Sequence, residues 1–149
     1  MDFGLGEDEL VVSLAAVERQ LEQVRSGASA VSRDPIVELR ALRSQLVVQE
    51  EAIERAAGEP AESFLWKFAR AGHRDLCEDD GVLFKQWKKY GDLDNETTLR
   101  VVGGILATTM GLTGGVLQAG AIAVTVIVLH LTVKTICEEY GPGCGKAGE

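Results

Sequence analysis

From Val101 to Val133 the chain runs for 33 residues without an Asp, Glu, Lys or Arg. A stretch so free of charge has two places to go, the interior of a protein or the interior of a bilayer. One bilayer-spanning helix needs about 20 apolar residues, so the run is too long for a single helix. Gly111-Leu112-Thr113-Gly114-Gly115 divides it. Before the division, Leu99 to Met110 gives roughly 18 Å of helix, short of a hydrocarbon core of about 30 Å. After it, Leu112 to Val133 is a segment of 22 residues with only Gln118 and His130 strongly polar. That segment is long enough to span.

The small residues in this segment are ordered. Gly111, Gly115, Ala119 and Ala123 recur at every fourth position and form one narrow ridge. Such a ridge lets helix backbones approach closely. It is the packing device of membrane helices and serves a buried soluble helix equally well. The ridge is therefore the expected helix-packing or oligomer interface, in either setting.

Two settings compete for the apolar segment. Against a lipid setting, six glycines dilute the run, and no Trp or Tyr lies between Tyr90 and Tyr140 to form an interfacial belt. Gln118 and His130 would also be costly facing lipid. Against a soluble core, a chain of 149 residues has little mass with which to wrap such a helix.

Upstream, the pattern changes to amphipathic helix. Leu10, Leu14, Val17, Leu21, Val24, Ala28 and Val31 follow alternating spacings of four and three, one stripe of a helix. The first helix is expected over Leu10 to about Arg25, weakened at Ser26-Gly27-Ala28-Ser29. Asp34-Pro35 reads as a new start, with Asp34 as N-cap and Pro35 in the first turn. Leu39, Leu42, Leu46, Gln49, Ile53 and Ala56 then continue a second stripe, ended by Gly58 and Pro60. The expected arrangement is an antiparallel hairpin. A continuous parallel coiled coil would have to pass through Gly27 and Pro35. Gln49, the polar member of the second stripe, is either a partly exposed end or a register-fixing contact across a helix interface.

A connecting segment follows. Phe64, Leu65, Phe68, Ala71 and Leu76 are helically spaced after Pro60. Val82 to Tyr90 reads as a short helix with Leu83, Phe84 and Trp87 on one side and Lys85, Lys88 and Lys89 on the other. Asp94 or Asn95 caps the next helix. No strand alternation appears.

Charge and composition exclude several function classes. The net charge is −8, and residues 1–60 carry −6 of it. An acidic chain is a poor nucleic-acid binder, because binding needs a basic face that releases phosphate counterions. No nucleophile elbow, Walker A loop or dinucleotide fingerprint is present, so no catalytic residue and no cofactor are expected. His73 and Cys77, four residues apart, could share a helix face with Asp79 or Asp80 nearby, but no second ligand pair has metal-site spacing. The acidic N-terminus lacks a secretory signal, which implies a cytosolic N-terminus and reduced thiols at Cys77, Cys137 and Cys144. A local Cys137–Cys144 disulfide or palmitoylation of Cys137 are the alternatives there. Lys85, Lys88, Lys89 and Arg100 precede the apolar run and only Lys134 and Lys146 follow it, so the upstream side is expected to stay cytosolic.

The expected fold is all-α: an amphipathic hairpin over 1–58, a connecting helical segment over 59–95, an apolar Gly-rich hairpin over 96–140 with a candidate membrane segment at 112–133, and a flexible tail over 141–149. The expected function is non-enzymatic. One reading is a membrane-associated, self-assembling protein, a homo-oligomer whose stripe of Leu10, Leu14, Val17, Leu21, Val24, Leu39, Leu42, Leu46 and Ile53 packs the hairpin or binds a protein partner. The other is a soluble cytoplasmic adaptor or regulatory subunit whose apolar hairpin is its core.

Overall fold

The structure, a computed structural model, describes residues 7–26, 46–78, 81–90 and 93–140. The chain is all-α, and no strand occurs among the described residues. In order, the helices are α1 (Glu7–Ser26), α2 (Val47–Ala57), α3 (Ala61–Ala71), α4 (His73–Cys77), α5 (Val82–Tyr90), α6 (Asn95–Gly104), a π-helical turn (Ile105–Thr109) and α7 (Gly114–Tyr140). The expected helix start at Asp34-Pro35, and the stripe positions Leu39 and Leu42, lie outside the described residues.

The helix ends follow local chemistry. Gly58 adopts φ +73° after α2 and its N–H donates to the Glu54 carbonyl at 2.9 Å. That is the left-handed termination glycine tolerates without a Cβ penalty. Asp94 caps α6: its Oδ2 accepts from the Thr97 N–H at 2.8 Å and from the Thr97 hydroxyl at 2.9 Å. The apolar hairpin turns through residues 110–113, where Gly111 has φ +75°, and α7 opens at Gly114 with φ +61°.

The organising element is α7. All the other described helices pack against it. Its residues Leu117, Ala121, Ala123, Val124, Val126, Ile127, Val128, Leu129, Leu131 and Ile136 are buried. Around it close Leu10, Val17, Leu21 and Val24 from α1, Leu46 and Ile53 from the second stripe, Phe64, Leu65 and Phe68 from α3, and Leu99 and Val102 from α6. Each fully buried Leu or Ile contributes about 1.5–3 kcal/mol, so the stripes and α7 hold one another in place.

One expectation changes here. Between α1 and α2 there is little direct packing; both lay their stripes on α7 instead. A helix apolar on every side offers more surface than the narrow stripe of a neighbour, and the stripes go where more area is covered. The wrap around α7 is accordingly fuller than two narrow stripes suggest.

Candidate functional site

The site worth building is α7 together with what sheathes it. Gly114–Leu131 is long and apolar enough to cross a membrane, and 61% of that window is buried within the chain. The same test is passed by the core helix of a soluble protein.

The ridge of small residues divides between two environments. Ala123 is 1% exposed and packed. Gly111 lies in the turn before α7, and Gly111, Gly115 and Ala119 are all exposed. A Cβ added at Gly115 would meet nothing within 4 Å. Inside the chain, then, no helix touches the ridge at its first three positions. The tight approach within the hairpin uses a different glycine: a Cβ at Gly120 would stand 3.5 Å from Leu106 Cδ1 and 3.8 Å from Leu112 Cδ1. Four-residue spacing marks a face of a helix. It carries no information about which face α6 covers.

Two polar contacts set the register of the sheath. Gln118 Nε2 on α7 donates to the hydroxyl oxygen of Ser13, which is fully buried on α1, at 3.2 Å. Seven residues further along α1, Gln20 Oε1 accepts from Gln49 Nε2 at 2.9 Å. Gln49 is only 2% exposed, so of its two readings the contact across a helix interface is the one realised. A buried polar pair penalises every sliding of one helix past the other, because a slid register leaves both groups unpaired. Buried Gln49 Oε1 and Thr125 Oγ1 have no hydrogen-bond partner.

The stripe residues are occupied within the chain. Leu10, Val17, Leu21, Val24, Leu46 and Ile53 are buried and Leu14 is half-buried against the core. What α1 and α2 leave outside is a set of valines off the stripe. Val11 and Val12 are 64% and 61% exposed, Val47 and Val48 48% and 63%. The sequence signal for them was available, since each is an apolar residue beside the stripe and not on it.

The far end of α7 is stapled. Cys77 and Cys137 form a disulfide with Cα atoms 5.8 Å apart, across a sequence separation of 60. This overturns the expectation of reduced thiols at these two positions. It also removes the Cys137–Cys144 pairing and the free Cys137 needed for acylation. The physical reason is placement: α4 is a single short helix ending at Cys77, and it packs against the end of α7 at a distance within the ordinary disulfide range. Gly81 makes that placement feasible, because a Cβ there would collide with the Arg74 carbonyl oxygen and lie 2.7 Å from that of Asp75.

Two surface grooves complete the inventory. One, of about 430 Å³, lies between α2, α3 and the turn before α7, with Phe64, Met110, Leu112 and Val116 in its lining. At its rim Lys67 Nζ pairs with Glu59 Oε1 at 2.9 Å. The Lys67 hydrogen bond holds the Glu59 carboxyl below its ordinary pKa, with a further lowering from the Ser63 hydroxyl and an opposing push from partial burial. The other, of about 520 Å³, is lined by Glu18, Asp94 and Glu96 beside Leu14 and Leu93. Neither brings a nucleophile to a base. Among the described residues no cluster of three or more His, Cys, Asp or Glu could hold a metal ion. His73, the other half of the pair with Cys77, sits 3.8 Å from Glu78.

No known protein family, characterised protein or solved structure matches the chain.

Proposed function

We propose that the chain is a non-enzymatic, self-assembling helical protein that holds a bilayer-length apolar helix inside a sheath of amphipathic helices and acts by presenting that helix to a membrane. The observation that carries the reading is what α7 places where its own chain does not cover it. In the window Gly114–Leu131 the uncovered or half-covered positions include Gly114, Gly115, Val116, Ala119 and Ile122, with Gln118 and His130 as the polar ones. A core helix of a soluble protein puts Lys, Glu or Arg at such positions. Here the helix stays apolar on the outside as well. The bare ridge of Gly115 and Ala119 supports self-assembly, since small residues without an internal partner can accept a helix of a second copy.

A second reading stands on the wrap itself. Helices on all sides of α7 suit a soluble adaptor whose apolar hairpin is core, with the exposed valines of α1 and α2 as the partner-facing surface. One experiment separates the two. Purified protein is mixed with phosphatidylcholine–phosphatidylglycerol vesicles, floated on a density gradient, and extracted with carbonate. Membrane action predicts carbonate-resistant flotation and crosslinking to oligomers on the vesicles. A protein that stays monodisperse and in the soluble fraction, oxidised and reduced alike, sinks that reading and leaves the adaptor.

A further inference from the structure

The staple between Cys77 and Cys137 decides where the end of α7 can go. From Gly114 to Cys137 the helix climbs roughly 35 Å, somewhat more than a hydrocarbon core of about 30 Å. If α7 spans a bilayer once, these two residues lie on opposite sides. The disulfide, however, ties Cys137 to the end of α4. Immediately beyond α4 comes α5, whose Lys85, Lys88 and Lys89 are exposed. With the bond closed, Cys137 cannot cross unless α4 and the cationic face of α5 cross with it, and charged side chains resist hydrocarbon. With the bond open, nothing covalent holds the end of α7 to the sheath.

We propose that the Cys77–Cys137 disulfide is a redox latch: closed, it pins the C-terminal end of α7 to α4 and forbids single-pass insertion; opened by a dithiol reductant, it frees that end to leave the sheath. This deepens the membrane reading and rests on it for the insertion step, while the opening step stands without it.

Both cysteines are partly exposed, so a sulfur is within reach of an external thiolate. The chemistry is thiol–disulfide exchange. One thiolate of the reductant attacks a sulfur of the bond and expels the other cysteine as a thiolate. The second thiol of the reductant then resolves the mixed disulfide. Two electrons and two protons pass from reductant to protein, leaving thiols at Cys77 and Cys137 and an oxidised dithiol in solution.

The sheath around the latch is thin. At this end α7 is packed by α4, a helix of five residues, and by α5. Toward its N-terminal half it meets α1, which Gln118 joins to Ser13 at 3.2 Å. Local opening begins where cover is least, and the bond sits at that place.

The test uses the full chain in three forms: oxidised, reduced with dithiothreitol, and the Cys77→Ala/Cys137→Ala double variant. Hydrogen–deuterium exchange is followed helix by helix at a temperature where circular dichroism shows all three folded. Reduction should speed exchange in the second half of α7 about 10-fold or more, with α1 and α3 little changed. The double variant should match the reduced parent and ignore dithiothreitol. Equal exchange in α7 before and after reduction overturns the latch. So does uniform acceleration in every helix, which would make the bond a general staple of the fold. Flotation with phosphatidylcholine–phosphatidylglycerol vesicles is run on the same samples. Binding by the reduced form alone supports latch and membrane reading together. Faster exchange without binding keeps the latch and rejects the membrane reading. Equal insertion by the oxidised form rejects the latch.

Discussion

The two ends of α7 are built on opposite terms. At the N-terminal end the helix is tied by a side-chain hydrogen bond, Gln118 to Ser13, and leaves Gly115, Val116 and Ala119 outside. From Ala121 to Leu131 it is enclosed almost without a break, and at Cys137 it is covalently fastened. The uncovered end carries the residues best suited to meet another helix, and the enclosed end carries those whose removal would leave cavities. One apolar helix thus has a half that offers contact and a half that supplies stability. Apolar composition alone would not distinguish them.

The sharpest way to break this contrast is at the enclosed half. Ile127→Asp places a carboxylate at a position 1% exposed, with a cost of several kcal/mol. Loss of the cooperative thermal transition by circular dichroism is the expected outcome. A melt like the parent's would mean that the second half of α7 is not the core.

A smaller effect comes from two substitutions on one ridge. Ala123→Ile overfills a packed site and should cost about 1–3 kcal/mol, seen as a lowered melting temperature. Gly115→Ile has open space around its Cβ and should leave the monomer's melt within about 1 kcal/mol of the parent, while weakening crosslinking between copies. If both lower the melt equally, the ridge is packed along its whole length and the contrast between the ends is false.

The smallest effect is at the groove rim. Because Lys67 lowers the Glu59 pKa, this pair adds stability above the ordinary glutamate pKa and loses it as pH falls through the folded value. Both groups face solvent, so Glu59→Gln should move the neutral-pH melt by no more than about 2 °C. A large shift would show that the rim is tied to the sheath.

Much of this architecture is legible in the residues themselves. The heptad from Leu10 to Val24 names the buried face of α1 because side-chain period and helix period agree. Asp94 announces its cap, and Gly111 to Gly114 announce the hairpin turn. What covers what is less legible. Leu21 reads as a hairpin contact and is a contact to α7, because a stripe records that a face is covered and not by which surface. The Cys77–Cys137 pair was hidden for a similar reason. Its members are 60 residues apart, and their meeting depends on where a five-residue helix lands. The uncovered state of Gly115 escaped notice because small residues at helical spacing look alike whether touched or bare.

The π-helical turn at Ile105–Thr109 has a consequence for how the chain tolerates changes of length. There the Met110 N–H donates to the Ile105 carbonyl, five residues back, at 3.1 Å. A π turn is an α-helix holding one extra residue. It lets Ile105 and Leu106 both face inward, at 6% and 0% exposure, and turns Thr108 and Thr109 outward. Removing one residue from this turn would restore ordinary helix and swing everything after it by about 100°. α6 before the turn would keep its seat while the loop and the ridge of α7 were re-aimed. The segment is therefore where an insertion or deletion of one residue can enter the hairpin, and such an event would act as a rotation of the exposed helix face more than as a loss of core.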